Sequence, residues 1–244
     1  MSNKTTFQEK NTRLNANNTD LTSILNTINN LPSAGGGNTD VEDALILHTL
    51  EGNYSNDRVT SIGYGTFYNN TKLTGVDFPN VTIIQNYAFS GASNMKTMNF
   101  PKLVTANGSA FNGSGVENVY LPELKNMATY TFANTSYMKT INLPKLTIVQ
   151  SNGFKSNINV TRVDLGNCTS IYATGFDSCS SLTTLIIRTD SVCTLRNVSA
   201  LNNTPIANGT GFVYVPDDLT DSYKSASNWS NFASQIKGLS ELSE

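Results

Sequence analysis

Residues 81–101 read VTIIQNYAFSGASNMKTMNFP, and the fold follows from what recurs around this stretch. Phe89 is one of a series, Phe67, Phe89, Phe111, Phe132, Phe154 and Phe176, separated by 21 or 22 residues. Self-similarity at such a period marks a repeat architecture. A small residue or Thr precedes each Phe (Thr66, Ala88, Ala110, Thr131, Gly153, Gly175), and an apolar residue stands five positions before it (Ile62, Ile84, Ala106, Met127, Val149, Ile171). After it come three apolar positions, as in Met95/Met98/Phe100, matched by Leu73/Val76/Phe78, Val116/Val119/Leu121, Met138/Ile141/Leu143, Val160/Val163/Leu165 and Leu182/Leu185/Ile187.

The end of each unit alternates apolar, free, apolar, which is the period of a short strand with one buried face. One strand per repeat is therefore expected. Pro79, Pro101, Pro122 and Pro144 close four units, and Gly166 closes the fifth. Proline cannot donate to a ladder, so it belongs where a strand stops and the chain turns. A coil this short cannot bury its apolar side alone, so successive coils must stack with parallel strands and a shared interior.

The units Val81 to Phe89 and Asn94 to Pro101 resemble BspA-type leucine-rich repeats, which are common in bacterial surface proteins and in phage or prophage proteins of gut bacteria; the likeness spans about residues 55 to 216. The resemblance implies a right-handed leucine-rich-repeat coil with short parallel strands, so that the expected fold, with a helical N-terminal arm and a C-terminal strand-helix cap, is an α+β solenoid. Cys179 stands where that family often carries cysteine, whereas Asn70, Ala92, Ser114, Thr135 and Asn157 fill the equivalent positions. Cys168 takes the apolar slot of Val81, Leu103, Leu124 and Leu146 and reads as a buried structural thiol.

Four segments are expected: a helical arm over 1–32, a Gly-rich hinge over 33–40, the solenoid with its first cover over 41–216, and a helical cap over 217–244. In the arm, Phe7, Leu14, Leu21 and Ile28 form one heptad series and Ile24 and Leu31 lie in a second, a short and leaky coiled-coil pattern. A lone polar helix is marginal in water, so the arm is expected to anchor the chain to other virion proteins or to make a homo-oligomer, a trimer among its candidate states. A frayed tail is the alternative. The arm also resembles attachment regions of phage structural proteins. At the other end, Phe212-Val213-Tyr214-Val215 reads as a strand stopped by Pro216, and Asp217-Asp218 as a helix start.

Composition narrows the function. Sixteen Lys and Arg against eighteen acids give a net charge of −2, so no nucleic-acid partner is expected. No stretch approaches the roughly 20 apolar residues that span a bilayer, so no membrane insertion is expected, and the first residues lack the apolar run of a signal peptide. The single histidine, His48, leaves metal sites and Ser-His or Cys-His catalysis without their parts. Asp77 and Asp164 share a strand column but lie four coils apart, near ~19 Å, too far for a glycosidase pair. No catalytic residue, cofactor or metal is expected.

Outward strand positions remain as candidates. One column reads Asp77, Asn99, Tyr120, Asn142, Asp164, Ile186, and its neighbour reads Gly75, Thr97, Asn118, Thr140, Arg162, Thr184. Of these, Asp77, Asn99, Asn118, Tyr120, Thr140, Asn142, Arg162 and Asp164 make a polar, amide-rich face with a central aromatic ring, suited to a bacterial surface glycan or a polar protein. The same residues are also what any solvated sheet carries. The leading expectation is a non-enzymatic phage virion protein of tail-fibre, receptor-binding type. The alternatives are a purely structural or decoration protein of the particle and an adhesin on a bacterial cell surface.

Overall fold

The computed structural model describes residues 50–242. The chain divides into two units, Met1–Asp43 and Ala44–Glu244, and the repeats with their closing segment belong to the second. The arm residues Phe7, Leu14, Leu21, Ile24, Ile28 and Leu31, the hinge, and His48 lie outside the described residues.

Each repeat supplies two strands, not one. The longer strands are β1 (Gly52–Ser55), β3 (Leu73–Asp77), β5 (Thr97–Asn99), β7 (Asn118–Tyr120), β9 (Thr140–Leu143), β11 (Arg162–Leu165) and β13 (Thr184–Ile187). Between them run two-residue strands: β2 (Ser61–Ile62), β4 (Ile83–Ile84), β6 (Thr105–Ala106), β8 (Asn126–Met127), β10 (Ile148–Val149), β12 (Ser170–Ile171) and β14 (Thr194–Leu195). The apolar residue five before each Phe is the second residue of such a strand, and it is buried in every coil. Two residues are too few to show alternation, so the sequence pattern hides this second set.

All pairings are parallel and link each coil to the next. On the long-strand side the order is β1-β3-β5 and then, after a break, β7 through β13, β15 (Phe212–Val215) and β16 (Ile236–Gly238). On the short-strand side it is β2-β4-β6-β8 and then β10-β12-β14. The two breaks fall at different coils. The first coincides with the 21-residue step, which drops one residue between Phe111 and Val116. Here Gly115 N–H reaches the Ala92 carbonyl at 3.1 Å, and a Cβ on Gly115 would run into the Ser93 carbonyl oxygen. Lys96, just before the shortened coil, places its ammonium 3.3 Å from the ring centroid of Tyr137, just after it, a cation–π contact that spans the irregularity.

The core is a pair of ladders. Phe67, Phe89, Phe111, Phe132, Phe154 and Phe176 are all at most 1% exposed and stack with centroids 4.9–5.6 Å apart. Interplanar angles of 2–11° make this an offset stack of aligned rings. Phe78 and Phe100 begin a second ladder, which Leu121, Leu143, Leu165 and Ile187 continue.

The slot where the family often carries cysteine keeps a chemical role although the residue changes. Its occupants Asn70, Ala92, Ser114, Thr135, Asn157 and Cys179 are all buried. Three of them donate to the carbonyl of the Phe one coil back: Thr135 to Phe111, Asn157 to Phe132, Cys179 to Phe154. Asn70 donates to the Leu50 carbonyl. Ala92 has no side-chain donor, and Ser114, in the shortened coil, leaves its own unused: its Oγ is the one buried side-chain polar atom among the described residues with no partner. Desolvation pushes the Cys179 thiol up to about 12. All three cysteines are buried and free.

A seventh coil carries three extra residues, so Cys193 enters the slot of Cys168 with the sulfurs 3.9 Å apart. The neighbouring Cys168 and burial together push the Cys193 thiol upward. The closing segment lies over it. Its one α-helix, α1, is Thr220–Ser225, and the remaining helical turns are short 3-10 segments. Tyr223 hydroxyl accepts from Cys193 N–H, and Trp229 Nε1 donates to the Cys193 carbonyl at 2.6 Å. Beyond these turns β16 returns to pair with β15, a strand that the repeat pattern does not announce.

Candidate functional site

The long-strand sheets place the outward side chains in registered columns. Asp77 pairs with Asn99; Tyr120 with Asn142; Asn142 with Asp164. In the neighbouring column Asn118 pairs with Thr140 and Thr140 with Arg162. Six of the eight expected residues, Asn118, Tyr120, Thr140, Asn142, Arg162 and Asp164, therefore share one continuous sheet, whereas Asp77 and Asn99 belong to the three-stranded sheet before the break.

Inter-coil hydrogen bonds fix several of these side chains. Thr140 hydroxyl donates to Asn118 Oδ1 at 2.9 Å, and Asn99 Nδ2 donates to Asp77 Oδ1 at 2.8 Å. Asp164 receives a fork from Arg188, through Nε at 2.9 Å and Nη2 at 2.8 Å. This carboxylate raises the Arg188 pKa above its ordinary value by hydrogen bonding. Tyr120, 64% exposed, stands on β7, the strand that borders the break. Ile186 departs from the expectation of an outward column. It is fully buried, in register between Asp164, which Arg188 grips, and Tyr214 of β15. The outward face of the sheet thus changes character at β13, where Ile186 follows Asp164 in the column.

Repeat counting from the phenylalanines misses the start of the first sheet. Tyr54 lies 22 residues before Val76, and Val76 lies 22 before Met98, so the period itself contains β1. A shallow groove over β1, β3 and β5 is lined by Asn53, Ser55, Asp77, Thr97 and Asn99 with Tyr54, Val76 and Met98. A side chain at Gly75 would meet Thr97 Oγ1 and Asn53 Oδ1, atoms of two of these lining residues. Among the described residues no group of three or more His, Cys, Asp or Glu side chains is placed to hold a metal ion. Asp77 and Asp164 lie in different sheets, each already hydrogen-bonded to a neighbour. No helix among the described residues is long and apolar enough to cross a membrane.

No curated protein matches this chain. Among solved structures, a leucine rich cell surface protein from Faecalibacterium prausnitzii A2-165 is similar at 13% identity over 81% of this chain and 82% of that one, with a TM-score of 0.30. At the level of sequence families, residues 60–183 and 107–226 match the BspA type Leucine rich repeat region in six copies. With stacked parallel coils, a phenylalanine ladder and this match over more than half its length, the chain belongs to the BspA-type leucine-rich repeat family.

Proposed function

We propose that the chain is a non-enzymatic recognition protein, whose leucine-rich-repeat solenoid presents the sheet face of β7, β9 and β11 to a bacterial surface glycan or protein. The observation that carries this reading is the exposed Tyr120 ring on a sheet whose neighbouring Asn118 and Thr140 are already locked by hydrogen bonds. Rigid aromatic area flanked by ordered amides binds at small entropic cost. The heptad spacing of Phe7, Leu14, Leu21 and Ile28, with the Pro32 to Gly37 stretch after it, supports a virion version in which the arm anchors the protein to a phage particle. The second version is an adhesin on a bacterial cell surface, with which membership in the BspA-type family is equally compatible.

The full chain, labelled, is expected to bind bacterial cells, and the triple variant Tyr120→Ala, Asn142→Ala, Arg162→Ala is expected to lose that binding while keeping its circular dichroism spectrum. Binding by the triple variant at the parent's level would place the site elsewhere, and absence of parental binding would leave a structural or decoration role. Immunogold labelling of phage particles and of whole cells separates the two versions.

A further inference from the structure

The turn side of the first coils carries a second aromatic cluster, away from the sheet face. Tyr64, Tyr68 and Tyr87 are 73%, 45% and 40% exposed. Tyr87 touches both others edge to face, with ring centroids 5.6 Å from Tyr64 and 6.4 Å from Tyr68. This arrangement leaves large ring areas facing water, which an isolated solenoid gains nothing by presenting.

The backbone at Tyr87, φ 60°, is that of the repeat itself: Gly65, Ser109, Tyr130, Asn152 and Thr174 hold the equivalent position at φ 55–61°, and Gly65 meets the demand without strain. One further observation sets the cluster apart: its surroundings are uncharged. Residues 59–71, 78–95 and 103–116 contain no Asp, Glu, Lys, Arg or His. Two amides precede Tyr87 in the chain: Asn86, which accepts from Gly108 N–H at 2.9 Å, and Gln85, which accepts from Asn107 Nδ2 at 2.8 Å. The same side of later coils is charged, as the Lys155–Asp177 pair shows.

We propose that Tyr64, Tyr68 and Tyr87 with the amides of Gln85 and Asn86 form a binding site for an uncharged oligosaccharide. The tyrosine faces take the apolar C–H faces of the sugar rings and the amides take hydroxyls, which both donate and accept. An ionised ligand finds no counter-charge in the patch. This site goes beyond the sheet-face reading and stands or falls separately, because none of its residues lies on a long strand.

Calorimetric titration of the full chain with cellohexaose, laminarihexaose and chitohexaose tests it. Saturable binding of at least one of the three is expected, weakened tenfold or more by Tyr87→Gly and by the pair Tyr64→Ser, Tyr68→Ser. Neither variant is expected to lower the thermal midpoint by more than a few degrees, since Gly suits the backbone at 87 and the other two rings are exposed. The sheet-face triple variant is expected to bind the sugar as the parent does. No saturable binding of any of the three, or undiminished binding by either tyrosine variant, overturns the site.

Discussion

Asn157 and Ser114 occupy the same slot of different coils and have opposite consequences. Asn157 donates to the Phe132 carbonyl, and its Oδ1 accepts from Thr135 N–H at 2.8 Å, all in the interior. Removing it orphans a buried donor and opens space. Asn157→Ala is therefore expected to cost about 2–3 kcal/mol in urea denaturation. Ser114 hides a hydroxyl with no partner, so Ser114→Ala is expected to stabilise by about 1 kcal/mol in the same measurement. A loss of stability in Ser114→Ala would show that the hydroxyl is satisfied. This contrast is not legible in the sequence. Both residues fit the repeat, and only the missing residue between Phe111 and Val116 displaces one from its carbonyl. The phenylalanines are legible for the opposite reason: a step of 21 or 22 residues states burial outright when six members keep it.

At the scale of the element, the shortened coil is the sensitive point. Gly115→Ala forces a methyl group against the Ser93 carbonyl, and main chain cannot yield as a flexible side chain does. A loss of about 1–3 kcal/mol is expected, read as a lowered denaturation midpoint. Gly113→Ala, in the same turn, meets only the Gly91 nitrogen at 4.0 Å, an ordinary contact, but sits at φ 68° and so reports backbone strain alone. Beside this coil Lys139 hydrogen-bonds Glu117 at 2.9 Å and holds its carboxyl below the usual range. A depressed folded pKa stabilises above the unfolded value, near ~4.3, and the benefit disappears as pH falls through the folded one. Glu117→Gln should thus be the less stable protein at pH 7 and equal to the parent at pH 2, with a small gap that salt narrows. A gap that persists in acid would assign the effect to packing. Strand β1 hides in the sequence because it lacks the repeat's Phe and proline; its Tyr54 keeps the 22-residue step, which alone reveals it. Ile186 escapes the pattern because alternation says which side of a strand a residue takes, not what lies over that side.

Across the whole unit, stability passes from neighbour to neighbour, and the last coil depends on its cover. Tyr223 and Trp229 bond the backbone of Cys193 on both sides, and burial pushes the Tyr223 hydroxyl up to about 12. Trp229→Phe leaves the Cys193 carbonyl without its indole donor, and a loss of about 1–3 kcal/mol is expected. Hydrogen exchange should show that loss first in β13 through β16 and last in the coils near β3. Uniform faster exchange along the chain would mean that the coils open as one body. Asparagine and threonine, plentiful yet poor core formers, find their use at this scale. Pairs such as Asn134 with Asn112 and Thr174 with Asn152 bridge consecutive coils, 22 positions apart in sequence.

The interruptions on the two sides of the coil do not line up. One falls between β5 and β7, the other between β8 and β10. As in bricks laid with offset joints, no straight cut meets both seams. A solenoid stretched along its axis should accordingly unpeel from a terminus, one coil after another, in a saw-tooth of small force drops. A single large rupture in the middle would mean that one seam governs alone.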